Sequence, residues 1–154
     1  MDNTFGAVKD QNVLTSDEKT LALFCHLSLF LGGIVLPIIF WATNKDKSKF
    51  VTFHALQSVW FHVAYIFGIV FVAMFAVIGG FGMAAVFGGM STKGYTNASP
   101  LFAIIMILVY GLIFLIVFAG IGYAIYMGVK AHHGELKKYP IIGNIIYKKV
   151  YGSN

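Results

Sequence analysis

An all-α integral membrane protein with three membrane-spanning helices is what this 154-residue chain predicts. None of its 11 basic and 6 acidic residues falls within Thr20–Asn44, Phe50–Thr92 or Gly94–Val129. Each of those runs is rich in Phe, Ile, Leu, Val, Ala and Gly, and each is long enough to cross a bilayer as a helix. The composition agrees, with 58% hydrophobic and 11% charged residues, where a soluble domain carries about 25% charged.

Residues 1–16 are polar and mixed in charge, and are expected to form a flexible tail ahead of one helical membrane domain over 17–151. Thr15-Ser-Asp-Glu18 has the capping-box pattern: the Thr15 hydroxyl can accept from the Glu18 amide while the Glu18 carboxylate reaches back. A first helix follows to Ala42, spanning at about 20–42. Pro37 lacks an amide proton and crowds the carbonyl of Gly33, so a kink is expected there. Trp41 suits the interface at its end.

Asn44–Lys49 reads as a short charged turn. The second apolar run is too long for one simple span and too short for two with a loop. It predicts one long helix, with an amphipathic interfacial start at about 53–62 and a span at about 63–87. Gly88–Pro100 is a loop by composition, and it carries a weak glycosylation sequon at Asn97. A third span is expected at about 101–126. In the tail, Ile142, Ile145, Ile146 and Val150 recur at helical spacing after Pro140. They predict a short amphipathic helix at about 140–151 lying on the bilayer surface.

Three spans would place the Lys45–Lys49 turn and the C-terminal tail on one side. Lys45, Lys47, Lys49, Lys130, Lys137, Lys138, Lys148 and Lys149 would then face Lys9, Lys19 and Lys93 across the membrane. The richer side is expected to be the inner one, giving N-out and C-in. Those eight lysines are the candidate contacts to anionic lipid headgroups.

The basic residues are all Lys. Without Arg there is no bidentate reader of bases or phosphates, and no nucleic-acid partner is expected. The single Cys25 excludes an internal disulfide. No nucleophile–base pair, phosphate-binding loop or carboxylate pair is present, so no enzyme activity and no cofactor are expected. The five histidines include adjacent His132 and His133, which point about 100° apart on a helix. No set has the spacing of a zinc site, and no metal is expected. His54, Ser58 and His62 recur every fourth residue and share one face. Polar groups inside a membrane domain, here His26, His54 and Gln57, either bridge helices or serve passage of a proton or substrate. Small residues recur at Ala76, Gly80, Ala84 and Gly88, and at Gly120, Ala124 and Gly128. Such stripes let helices approach closely, within one protomer or between copies.

Several of these residues carry a resemblance. His26-Leu-Ser28, Pro37, Trp41, Lys45-Asp46, Ser48, Phe50-Val51 and Phe53-His54-Ala55-x-Gln57 form its first half. Tyr126, Ala131, Gly134-Glu135 and Tyr139-Pro140 form the second. Together they resemble a family of small membrane proteins of unknown function, related to the inner-envelope import component of chloroplasts. Some members are magnetosome membrane proteins that influence magnetite crystal size. The resemblance implies a helical membrane fold and a link to protein translocation, and it supplies no catalytic residues. The chain is shorter than the plant component and has three expected spans against four.

The expected function is that of an accessory or scaffold subunit, acting through protein or lipid contacts in a bacterial inner (plasma) membrane, either as a homo-oligomer or beside another membrane protein. The alternative is an oligomeric conduit, with His54, Ser58 and His62 at its inner mouth.

Overall fold

A computed structural model describes residues 13–31, 33–89 and 100–152. The tail before Val13, the 90–99 part of the expected loop with Lys93 and the Asn97 sequon, and the side chains of Ala84 and Gly88 lie outside the described residues. Among those described there are five helices and no strand: α1 (Ser16–Leu31), α2 (Val35–Asn44), α3 (Lys49–Gly89), α4 (Pro100–His132) and α5 (Ile142–Tyr151).

Among the described residues, two helices are long and apolar enough to cross a membrane, α3 over Lys49–Gly82 and α4 over Ala103–His132; α2 is a shorter apolar helix. The 41 residues of α3 extend about 62 Å at 1.5 Å per residue. That is about twice the thickness of a hydrocarbon core of about 30 Å.

The first apolar run departs from the expected single span. Gly33 has φ +58°, a left-handed conformation that glycine adopts without penalty. Its amide donates to the Ser28 carbonyl at 2.7 Å and closes α1. Pro37 lies in the first turn of the next helix, where an amide proton would have no intrahelical acceptor, so it begins a helix instead of kinking one. α1 and α2 then pack against each other. A straight helix over 16–44 would separate its ends by about 43 Å. Instead Ser48, just beyond α2, hydrogen-bonds Glu18 in the first turn of α1. The chain doubles back.

The capping box at α1 forms as the sequence predicts. The Glu18 amide donates to Thr15 Oγ1 at 3.2 Å, and the Thr15 amide donates to Glu18 Oε2 at 2.9 Å. Ser48 caps α3 in turn, its Oγ accepting from the Val51 amide at 3.2 Å. The Ser48 hydroxyl, then the Thr15 amide, hold the Glu18 carboxyl below its ordinary pKa. One serine thus joins the starts of two helices that are 33 residues apart in sequence.

By its contacts the chain divides into Met1–Trp60 with Ala124–Asn154, and Phe61–Tyr123. In the first unit, Ala22, Phe50 and Ala131 form a core on which Leu14 packs. Small side chains at α1 and α4 bring those helices close: a Cβ on Gly128 would lie 3.1 Å from Leu23 Cδ1 and 3.5 Å from His26 Cβ. α4 is closed by Gly134, two residues beyond its end, at φ +83°. Its amide donates to Ala131 at 2.9 Å while the Glu135 amide donates to Lys130 at 3.1 Å, the paired bonds of a Schellman cap. A Cβ at Gly134 would stand 3.3 Å from Leu14 and 3.4 Å from Lys19. The start of α1 and the end of α4, expected on opposite sides of the membrane, are therefore neighbours.

The second unit is an antiparallel pair. Tyr65 Oη donates to the Val117 carbonyl at 2.7 Å, Phe61 meets Tyr123, and Gly80 faces Met106. Rising numbers on α3 meet falling numbers on α4. Gly120 leaves room for the Tyr65 ring, which any Cβ there would strike.

Candidate functional site

The first unit buries an unusual amount of polarity. His26, Ser28, His54, Gln57, Ser58 and Tyr139 are all at most 3% exposed. Burying such groups unpaired costs about 1–3 kcal/mol each, so their partners decide whether the unit is stable.

His26 comes from α1, His54 from α3 and Tyr139 from the segment between α4 and α5. His26 Nδ1 lies 3.1 Å from Tyr139 Oη, and His26 Nε2 lies 3.1 Å from His54 Nδ1. The imidazoles meet edge-on, 5.3 Å between centroids, and His54 is flanked by Phe50 and Phe53. Nε2 of His54 finds no well-formed hydrogen bond among the described residues, although the Glu135 carbonyl faces the ring. One proton arrangement suits the whole chain. Tyr139 donates to His26 Nδ1, His26 donates from Nε2 to His54 Nδ1, and His54 keeps its own proton on Nε2 toward Glu135. The reverse order would set a bare ring nitrogen against a carbonyl. All members are neutral in the favoured order.

Gln57, one turn further along α3, fastens the same segment. Its Nε2 donates to the Lys137 carbonyl at 3.1 Å and its Oε1 accepts from the Tyr139 amide at 2.8 Å. The hydroxyls of Ser28 and Ser58 both donate to the Cys25 carbonyl, the first at 2.7 Å. Tyr147 and Tyr151 stack on each other and both meet Phe53 edge-on, an aromatic cluster that joins α5 to α3. The Tyr151 hydroxyl is pushed up to about 12 by burial, and it stays protonated.

The structure thus brings His26, His54, Gln57 and Tyr139 into one network, with Ser28 and Ser58 beside it. Pro37 is buried in α2, while Trp41 on α2 and Pro140 in the last turn are exposed. Glu135 pairs with Lys130 at 2.9 Å on the surface. Lys138 lies 3.9 Å above the Tyr147 ring, so two of the eight lysines are engaged within the chain. His132 and His133 are exposed, and no group of three His, Cys, Asp or Glu gathers among the described residues. Ala124 is fully buried and Ala76 partly so. Two residues carry more than the sequence reading gave them. Ser48 links α1 to α3. Gly143 lets α5 settle where a Cβ would stand 2.9 Å from Gln57 Oε1 and 2.6 Å from Lys138 Cβ. A glycine just inside a predicted helix start was the signal for the second.

Residues 17–146 match the magnetosome magnetite crystal formation protein family. The chain belongs to that family. The match spans α1 through the buried network to the first half of α5, so the network is part of what the family match covers. It concerns the magnetosome side of the resemblance and not the chloroplast import component. No curated protein matches the chain. No solved structure matches it either.

Proposed function

We propose that this member of the magnetosome crystal family is a non-enzymatic subunit of a bacterial membrane, acting by contact with lipid and with other membrane helices. One observation carries the reading: His26, Ser28, Gln57, Ser58 and Tyr139 bond to one another, to His54 or to the backbone of the first unit, while α3 and α4 turn large apolar side chains outward. Phe67, Phe71, Phe75 and Phe81 on α3 and Ile107, Leu108, Phe114 and Leu115 on α4 are all more than half exposed. Only hydrocarbon or another apolar helix covers such a surface stably. A part in magnetite formation comes from the family, and the chain's contribution would be to organise the enclosing membrane rather than to offer carboxylates to a mineral. It has only six Asp and Glu in all.

The conduit alternative loses its motivation. His54 and Ser58 are buried within the first unit and hydrogen-bonded or packed there, and His62 is also fully buried. A pore mouth would need them open to water.

The doubled-back α1–α2 pair supports a changed topology. It enters from the lysine-bearing side and returns to it, and α3 and α4 then make two crossings. Ten of the eleven lysines fall on one side, leaving only Lys93 between α3 and α4. That asymmetry favours both ends inside more strongly than three spans favoured N-out.

Extraction in mild detergent followed by native mass measurement tests the contact function. The expected result is a defined homo-oligomer or a stoichiometric complex with a second membrane protein. A population of bare monomers at every detergent concentration would remove the proposal.

A further inference from the structure

Among the described residues, one face of α5 has no protein partner. Gly143 and Ile146 are buried against the first unit, with Ile142, Tyr147 and Val150 half-buried beside them. Turning away are Ile145, 64% exposed, and the exposed Lys148 and Lys149. These lie three and four residues beyond Ile145, on its own face. One turn before it stands Ile141, 85% exposed. The result is a single outward stripe, apolar at its start and basic at its end.

Ile141 is out of place by ordinary rules. Its φ is +67° and ψ −66°, and the Ile142 amide donates to the Pro140 carbonyl across it at 2.8 Å. This is a γ-turn of the rare kind, in a region a β-branched side chain occupies only at a cost. A glycine would hold the turn without strain. In water the isoleucine adds exposed apolar surface to that strain and stabilises nothing. Strained, exposed apolar residues of this kind gain a rationale when the side chain enters another phase. α5 also sits at the right level: Gly143 rests against Gln57, about two turns into an α3 too long for the hydrocarbon.

We propose that the outward stripe of α5 docks on an anionic lipid surface. Ile141 and Ile145 enter the boundary between headgroups and acyl chains, and Lys148 and Lys149 contact lipid phosphates and acidic headgroups. Lys130 and Lys138 take no part, because Glu135 and the Tyr147 ring hold them. This rests on the membrane reading above, and adds which helix grips the leaflet and which lipid class it selects. The charge is complementary, and an amphipathic helix with lysines beside its apolar residues is suited to the interface.

A nitroxide on Ile145→Cys in the full-length protein reports the depth, since Cys25 is wholly buried. The protein is placed in bilayers of phosphatidylcholine, alone or mixed with phosphatidylglycerol. A second label at Phe71→Cys on α3 serves as reference. The Ile145 label is expected to lose access to a water-soluble nickel relaxant several-fold when phosphatidylglycerol is added. Lys148→Gln with Lys149→Gln should abolish that difference. Ile141→Gly should raise access at 145 while the melting temperature holds or rises, because the turn is relieved. An aqueous label at 145 in both bilayers, or equal protection in both, overturns the proposal while Phe71 stays protected. Both labels in water would overturn the membrane reading beneath it as well.

Discussion

Gln57 does two things that one primary amide can do only in this register. It accepts from the Tyr139 amide and donates to the Lys137 carbonyl, standing in for a backbone strand where none runs. Gln57→Leu keeps the volume and leaves the buried Tyr139 amide and the part-buried Lys137 carbonyl without their side-chain partner. A loss of about 2–4 kcal/mol is expected from two such groups, read as a lowered melting temperature in detergent. Proteolysis at Lys137 and Lys138 should quicken as the segment loosens. Unchanged protection there would mean that the cluster of Phe53, Tyr147 and Tyr151 alone seats α5. A reader of the sequence can see that Gln57, His26 and His54 are polar groups in an apolar setting. The partners are another matter, because Lys137 and Tyr139 contribute backbone atoms, which leave no trace in residue type. His54, Ser58 and His62 do share a helical face, as their spacing requires, but spacing gives no hint that the face is turned inward.

The long helices α3 and α4 were legible from uncharged length alone, and the cap of α1 from Thr15 and Glu18. The break between α1 and α2 was not. Pro37 and the glycines before it permit either a kinked span or a turn, since a transmembrane helix tolerates both residue types. What selects the turn is Ser48 meeting Glu18 and Leu14 meeting the end of α4, both remote in sequence. Gly128 tests that packing. Its missing side chain lets α4 lie against Leu23 and His26 of α1, with a Cβ already at 3.1 Å from Leu23. Gly128→Leu forces a branched side chain into that contact, and overpacking of this kind costs about 1–3 kcal/mol. Separation of α1 from α4 should also break the Tyr139–His26 bond, which Gly128→Ala should largely preserve. A Leu variant with wild-type melting and wild-type hydrogen exchange at α1 would show that the two helices do not need this closeness.

At the scale of the whole chain, the question is how many times the backbone crosses the bilayer. An odd number puts the ends on opposite sides, and an even number puts them together. Net apolar length cannot decide, because the residues over 20–42 are sufficient for a span and equally for a hairpin dipping into one leaflet. Contacts between the ends can decide. A Cβ at Gly134 would stand 3.3 Å from Leu14, and the carboxylate of Glu18 is close enough to bear on the Tyr151 hydroxyl. No bilayer separates groups so placed. Cysteines placed one at a time at Val13, Asp46, Asn144 and Gly152 should therefore all react with an impermeant maleimide from the same side of sealed vesicles. On the topology proposed above, the lysine distribution predicts that this side is the inner one. Reaction of Val13→Cys from the opposite side to Gly152→Cys would restore three crossings. It would also detach α1 from α4 and leave the buried Tyr139–His26–His54 chain without the helix that supplies its central ring.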